Sequence, residues 1–279
     1  MPSKILRFLL SIILLLISVA SFAQEQPIPD WVKGIGGTGE SKLAGIAVDK
    51  DDNVYVAGNF QGTLTVDQSG ISTPVVLTSN GHYDIYVAKY TPDGKLLWAK
   101  SIGGFNLDQV NNLAVDKDGN VIIGASFSSN SIDCDPGAGV FTVTSNGGED
   151  ALVVKLNTDG NFVWAKSVGG TNTDRGHVIT ADKDANIIFV GSFSSSNITV
   201  AGNTLSNKGN FDGFVVKYDR NGNVLWSTGF GSSAVDEIKS VKTDSEGAIA
   251  IMGYYGANIN LNPRGTAQNY TANRETYFL

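Results

Sequence analysis

Four tryptophans recur at nearly even spacing along the chain, and each opens one copy of the same sequence unit. They are Trp31, Trp98, Trp164 and Trp226, separated by 67, 66 and 62 residues. An aromatic residue follows each tryptophan after a constant 29 residues, namely Phe60, Phe127, Phe193 and Tyr255. A constant block followed by a stretch of variable length predicts one supersecondary module used four times, with its variation confined to loops.

The beginning of the chain has the pattern of a secretory signal peptide. Lys4 and Arg7 precede an apolar run over residues 8–19, and small residues lie three and one positions before Gln24. We therefore predict a signal peptide over residues 1–23, with an uncleaved membrane anchor as the alternative. The residue directly after the cleavage point is Gln24 rather than cysteine, which argues against a lipid anchor, and we expect no membrane span in the mature chain.

Charge and cysteine content limit the classes of partner and the means of stabilisation. Without Lys4 and Arg7, 18 basic and 27 acidic side chains remain, and this acidic balance argues against nucleic acid and anionic membranes as partners. Cys134 is the single cysteine, so an intramolecular disulfide is excluded and a hydrophobic core must hold the fold. An exported chain of this kind is expected outside the cell or at its surface.

Each unit reads as two β-hairpins separated by the variable stretch. The first hairpin has two apolar runs around a polar turn, as in Leu113–Phe127. The second runs from an aspartate to the next tryptophan, over Asp84–Trp98, Asp150–Trp164 and Asp212–Trp226, with Asp-Gly or Asn-Gly turns. No window shows a sustained helical period, so essentially no helix is expected.

Four or so short strands per unit predict an all-β fold, a β-propeller of about four blades over residues 24–279. The tryptophans are expected to fill the gaps between blades, with ligand stacking as the alternative, and Gly104 and Gly170 to relieve close backbone packing. Residues 275–279 align with the start of a second hairpin at Asp84. We therefore expect an incomplete last unit and a longer parent polypeptide, with a four-bladed ring as the alternative.

The units resemble the SBBP-type β-propeller repeat of secreted, Bacteroidetes-like bacterial proteins. The motif is carried by Asp84–Gly104 with Leu113–Phe127, and by Asp150–Gly170 with Ile179–Phe193. The loop Asp133–Gly137, echoed by Asn260–Pro263, resembles a loop common in such repeats. The resemblance implies a propeller fold without a common catalytic motif, often continued by adhesion-like or secretion-sorting modules.

The first-hairpin turns are the candidate metal ligands. They place oxygen-bearing side chains at alternate positions, as the start of a calcium loop does, and the candidates are Asp49, Asp51, Asn53, Asp116, Asp118, Asn120, Asp182, Asp184 and Asn186. No glutamate completes an EF-hand, and Asp and Asn also serve turns by binding backbone N–H groups. We therefore commit to no metal or other cofactor and keep calcium as the weaker alternative.

Other polar residues recur at fixed positions in the repeat. Asp108, Asp174 and Asp236 are expected to accept turn or inter-blade hydrogen bonds, and Lys89, Lys155 and Lys217 to lie on a solvated face or in inter-strand pairs. The two histidines, His82 and His177, occupy different positions in their units. Neither forms a recognisable pattern with a nucleophile, and no phosphate-binding loop is present.

These observations favour a secreted, non-catalytic interaction or structural module over an enzyme. A glycan-binding propeller is one alternative, with specificity in the variable stretches 61–83, 128–149 and 194–211. A quinone-dependent propeller enzyme is another, suggested by the segment Asp93–Trp98, although the turns lack the Thr-Gly pair of such repeats. The partner, protein or glycan, is not identified by the sequence.

Overall fold

The computed structural model describes residues 30–67, 73–262, 265–272 and 276–279. The chain divides into two compact units, Met1–Val32 and Lys33–Leu279. In the first unit the described residues are 30–32, which form no strand, and the predicted signal peptide lies outside the described residues. The second unit contains, within these ranges, 24 strands and no helix, so the predicted all-β fold is confirmed.

Three four-stranded antiparallel sheets and one three-stranded sheet form four successive blades, I to IV. Blade I contains β2 (Ser41–Val48), β3 (Val54–Phe60), β6 (Asp84–Tyr90) and β7 (Leu96–Ile102). Blade II contains β8 (Asp108–Val115), β9 (Val121–Phe127), β12 (Asp150–Leu156) and β13 (Phe162–Val168). Blade III contains β14 (Asp174–Ala181), β15 (Ile187–Phe193), β18 (Asp212–Tyr218) and β19 (Val224–Phe230). Blade IV contains β20 (Glu237–Thr243), β21 (Ile249–Tyr255) and β24 (Thr276–Phe278).

The variable stretches form small extra sheets between the second and third strands of the blades. Blade I carries β4 (Thr63–Val66) and β5 (Val75–Thr78), which join β1 (Ile35–Gly37) in a three-stranded sheet. The other blades carry the hairpins β10 (Ser131–Asp133) with β11 (Thr142–Thr144), β16 (Asn197–Val200) with β17 (Asn203–Ser206), and β22 (Ile259–Asn260) with β23 (Asn269–Tyr270).

The sequence unit and the blade are offset by one strand. Trp98 lies on β7, the fourth strand of blade I, where it pairs with Lys89 on β6. Trp164 and Trp226 lie in the same way on β13 and β19, the fourth strands of blades II and III. Each of these three tryptophans therefore lies in the last strand of a blade, and the next blade starts ten or eleven residues after it.

The aromatic residues that mark the constant interval end the second strand of each blade. Phe60, Phe127 and Phe193 pair across the sheet with Asp84, Asp150 and Asp212, the first residues of the third strands. In blade IV Tyr255 pairs instead with Thr276. The sequence alignment assigns this place to Glu275, which lies outside the described residues.

Apolar side chains on alternating positions of each blade pack against the neighbouring blade. Tyr55, Ile85 and Val87 of blade I share one buried cluster with Leu113 and Phe127 of blade II. A second cluster joins blades II and III, and a third joins blades III and IV. Because β6 and β12 are buried along their whole length, both faces of these central strands are covered.

Candidate functional site

The recurring polar and aromatic residues converge at the junctions between successive blades. At the junction of blades I and II, the indole Nε1–H of Trp98 donates to the carbonyl oxygen of Thr158, at 3.0 Å. At the next junction, Trp164 donates in the same way to the carbonyl of Arg220, at 3.1 Å. Both acceptors lie in the turn between the third and fourth strands of the following blade.

A lysine reaches the same carbonyl oxygen at each of these two junctions. Lys89 donates to the carbonyl of Thr158 at 3.3 Å, and Lys155 to that of Arg220 at 3.2 Å. Both lysine side chains are buried, with exposed fractions of 8% and 4%. The structure therefore places them inside the blade junctions rather than on a solvated face.

The lysines also pair with the first aspartate of the first-hairpin turn. Lys155 lies 2.8 Å from Asp116, and Lys217 lies 2.8 Å from Asp182, whereas Lys89 is 3.7 Å from Asp49. Burial by itself raises the pKa of Asp182, but hydrogen bonds from Lys217 and the turn outweigh it and lower the pKa to about 2. These aspartates are therefore ionised partners of buried ammonium groups.

The first aspartate of each turn also binds the turn itself. Oδ1 of Asp49 accepts backbone N–H bonds from Asp51 and Asn53, both at 2.9 Å, and the Asn53 side chain also donates to this carboxylate. The corresponding bonds form around Asp116 and Asp182. In the described part of the chain, no three acidic, histidine or cysteine side chains gather as a metal-binding group. Calcium binding by the nine turn residues stays the weaker alternative.

A buried aspartate begins each of blades II and III. Oδ2 of Asp108 accepts the backbone N–H of Gly104 at 2.6 Å and the hydroxyl of Ser129 at 2.8 Å. Asp174 makes the same two bonds with Gly170 and Ser195, both at 2.6 Å. In blade IV Asp236 binds Ser232 in a related way. These aspartates tie the start of a blade to the connection that precedes it.

A second set of buried aspartates begins the third strands. Asp84, Asp150 and Asp212 have exposed fractions of 0 to 1%, and within the described residues their Oδ1 atoms have no hydrogen-bond partner. Burial raises the pKa of Asp84 and of Asp212 to about 7 and that of Asp150 to about 6. In the sequence these residues mark the start of each second hairpin, and no further role is predicted for them.

Each carboxyl of this second set has a neighbouring carboxyl across the junction. The charges of Asp108, Asp174 and Asp236 add to the rise in pKa at Asp84, Asp150 and Asp212, respectively. Repulsion from these charges adds to the effect of burial and favours the protonated form of Asp84, Asp150 and Asp212. The recurrence of aspartate directly before a run of buried strand residues is the sequence signal for this set.

The glycine pairs leave space for these carboxyl and hydroxyl groups. A Cβ on Gly103 would come within 2.0 Å of Cγ of Asp84, and one on Gly169 within 2.1 Å of Oδ1 of Asp150. A Cβ on Gly104 would come 2.6 Å from the hydroxyl oxygen of Ser129. Close approach of buried side chains, rather than an unusual backbone angle, therefore requires glycine here.

Cys134 lies in a buried core cluster, and His177 binds the neighbouring blade. Burial raises the pKa of the Cys134 thiol to about 12, so this thiol is inert at neutral pH. Burial lowers the pKa of His177, whose Nδ1 lies 2.8 Å from the carbonyl oxygen of Ile238 in the next blade. Since a carbonyl only accepts, Nδ1 carries the proton, and His177 replaces Asn111, which donates to Gly176 of the blade after its own.

The repeated loop at Asp133 is closed by its own side chain. Oδ1 of Asp133 accepts the backbone N–H groups of Asp135 and Phe141, at 3.0 and 2.9 Å. Oδ1 of Asn260 accepts from Asn262 and Gln268 at the same sequence offsets. The echo seen in the sequence is therefore a shared turn that an aspartate or an asparagine can close.

Two comparisons with known proteins bear on this architecture. The family model described as "Domain of unknown function (DUF5122) beta-propeller" matches residues 137–162, within blade II and its extra hairpin. The uncharacterized WD repeat-containing protein L264 of Acanthamoeba polyphaga mimivirus is 30% identical over 190 residues. That alignment covers 59% of this chain and 14% of the viral protein, so the chain matches only a small part of this relative.

The antiparallel blades and both similarities define the class: this chain is a β-propeller repeat protein. No helix in the described part of the chain has the length and apolar character needed to cross a membrane.

Proposed function

We propose that this chain is a non-catalytic interaction module, exported by its N-terminal segment and acting at the cell surface or outside the cell. The main support for this proposal is that each blade combines recurring residues at its junctions with extra hairpins that vary. The recurring Trp, Lys and Asp residues hold blades together, while the extra hairpins vary in length and sequence. Variable loops on a rigid scaffold are the usual location of binding residues.

Some exposed apolar side chains lie on or near these variable parts. Val140 is 76% exposed beside the hairpin of blade II, and Phe105 is 81% exposed in the connection between blades I and II. Large apolar groups kept in water at loop positions are typical contact residues for partners. Similarity to a WD repeat-containing protein supports the same class of role. Neither comparison favours glycan binding or quinone-dependent catalysis.

We also propose that the repeat is of the SBBP type and that the chain is exported. The repeat motif supports the first, and the basic, apolar and small-residue pattern of residues 1–23 supports the second. Expression with the natural N-terminus, followed by fractionation and N-terminal sequencing, tests export. A product beginning at Gln24 outside the cytoplasm is expected, and a cytoplasmic product with an intact N-terminus would contradict it.

Partner binding is tested with the purified chain immobilised and exposed to the surface proteins of the source cell. The wild-type chain is expected to retain a defined partner that Val140→Asp and Phe105→Asp lose. Val163→Asp, at a residue 44% exposed on β13, is the matched control and should retain it. Turnover of a peptide or glycan substrate that a single substitution abolishes would overturn the non-catalytic assignment.

A further inference from the structure

The junction between blades II and III contains an arginine side chain seated between two turns. Arg220 belongs to the turn Asp219–Gly222, and its Nη2–H donates to the carbonyl oxygen of Asp184 in the first-hairpin turn of blade III, at 3.2 Å. The same guanidinium lies 3.9 Å from the carboxylate of Asp118 in blade II. The repeat therefore contains its own example of a guanidinium bound at a blade junction.

The junction between blades I and II has the same walls but lacks this guanidinium. Thr158 stands at the position of Arg220, because the turns 157–160 and 219–222 coincide in the repeat. Its carbonyl accepts from Trp98 and Lys89, as that of Arg220 accepts from Trp164 and Lys155. The shorter threonine side chain lies beside the turn of blade II, where a Cβ on Gly119 would come 3.0 Å from its Cγ2, and it carries no cation.

A cleft of about 580 Å³ lies at this first junction. Its lining includes Asp51 and Asp118, the counterparts of Asp118 and Asp184 at the next junction, together with Asp159 and the indole of Trp98. Lys89 is the basic residue in the lining, and it is already held by Asp49 and the carbonyl of Thr158. The cleft therefore offers acceptors and negative charge in excess of its own cation.

These walls suit a guanidinium better than a compact ammonium ion. A guanidinium is planar, donates in several fixed directions and stacks on an indole, so it can use a carboxylate, a carbonyl and Trp98 together. Asp51 is paired with the exposed Lys50 at 2.8 Å, as Asp184 is paired with Lys183 at 3.1 Å. Such solvent-exposed pairs are weak and can be shared with an incoming cation.

We propose that the cleft between blades I and II binds the guanidinium of an arginine side chain presented by a partner polypeptide. The inference rests on the proposed interaction function and names the chemistry of its partner. Arg220 is the internal counterpart of that ligand. In a bound complex the arginine would approach Asp51 and the carbonyl of Asp118, as Arg220 approaches Asp118 and the carbonyl of Asp184.

The test follows the indole N–H signals of the whole chain by NMR during titration with N-acetyl-arginine methylamide. A saturable shift of the Trp98 signal is expected, with roughly tenfold weaker binding of the lysine analogue. Thr158→Arg should fill the cleft from within and remove the shift, and Asp51→Asn should weaken binding by about fivefold. Since the repeat already accommodates arginine at this position, Thr158→Arg is expected to fold.

A reciprocal variant supplies the matched control. Arg220→Thr should open the second junction, so that the Trp164 signal now also shifts in a saturable way. An unshifted Trp98 signal in the wild type, equal binding of the lysine analogue, or unchanged binding by folded Thr158→Arg would each overturn the proposal. If Thr158→Arg still captures the surface partner, the interaction function stands and this cleft is not its recognition site.

Discussion

The α carbon of Gly160 faces the indole ring of Trp98 in the preceding blade so closely that a Cβ there would lie 3.0 Å from Cδ2. Gly222 has the same relationship with Trp164, at 2.8 Å. Both glycines also have positive φ, +75° and +83°. The Asp-Gly or Asn-Gly turn that closes a hairpin in one blade is therefore also the surface on which the tryptophan of the previous blade rests.

Gly160→Ala should destabilise the protein by about 2–4 kcal/mol, because it combines left-handed strain with a clash against Trp98. Gly202→Ala is the matched control. Gly202 has φ +82° and nothing within 4 Å of a built Cβ, so its substitution should cost about 1 kcal/mol. Urea denaturation of both variants measures the difference. Equal losses would show that the indole contact contributes nothing.

Lys155→Met should lower the free energy of unfolding by roughly 3–5 kcal/mol, because it leaves the buried carboxylate of Asp116 without its cation. The Lys155 and Asp116 side chains are 4% and 0% exposed. Lys183→Met breaks an ion pair with Asp184 whose side chains are 49% and 62% exposed, and should change stability by less than about 0.5 kcal/mol. Denaturant midpoints of both variants give the comparison, and a Lys155→Met loss as small as the control would contradict a buried pair.

Stability should be highest near pH 4–5 and fall as the pH rises to about 7. The raised pKa values of Asp84, Asp150 and Asp212 mean that the folded state keeps protons that the unfolded state loses above about pH 4. The stability that these protonated aspartates contribute is fully present below about pH 4 and is lost as the pH rises through about 6 to 7. On the acid side, the low pKa of Asp182, about 2, gives stability that is lost below about pH 4.

The measurement is the free energy of unfolding in urea across pH 3–8. Each aspartate with a raised pKa is expected to lower the free energy of unfolding by roughly 1–3 kcal/mol as the pH rises. Asp84→Asn should remove its share of the decline above pH 5. A wild-type free energy of unfolding that rises steadily up to pH 7 would contradict the raised pKa values of these aspartates in the folded state.

Local patterns account for much of the fold. Turn residues such as Asp93-Gly94 and alternating apolar runs predict the hairpins, and the constant interval predicts that Phe127 and Phe193 end equivalent strands. The blade boundary cannot be read from periodicity, because any window of one repeat length repeats equally well. The structure supplies it through the pairing of Trp98 with Lys89 in blade I.

Contacts between distant residues account for what sequence patterns could not give. The partner of the Trp98 indole lies 60 residues away, and no local pattern identifies the carbonyl of Thr158. A lysine on a strand usually indicates a solvated face, but Lys155 is buried because register brings it against Asp116. The repeat aligns Thr158 with Arg220, but the contacts of the Arg220 guanidinium with Asp184 and Asp118 become visible only in three dimensions.

Ile46→Ala and Leu113→Ala should differ sharply in effect although the two residues hold the same place in their blades. Ile46 pairs across with Val56 in blade I, and Leu113 with Ile123 in blade II. Leu113 is 5% exposed and packs on Gly45, where a Cβ would come within 2.6 Å of its Cδ2, whereas Ile46 is 69% exposed. Leu113→Ala should therefore cost about 2–4 kcal/mol, and Ile46→Ala less than about 1 kcal/mol.

Urea denaturation at several protein concentrations checks this prediction. If the outer face of β2 is exposed in solution, Ile46→Ala should lower the free energy of unfolding only slightly and by the same amount at every protein concentration. Leu113→Ala should lower it more at each concentration. A loss at Ile46 that matches Leu113 and grows with concentration would show that the side chains of Leu43, Ile46 and Val48 are covered in solution. Truncating an apolar side chain lowers the stability of the protein in proportion to the surface that this side chain buries. That outcome would therefore mean that another molecule packs on the outer face of blade I, as blade II packs on its inner face.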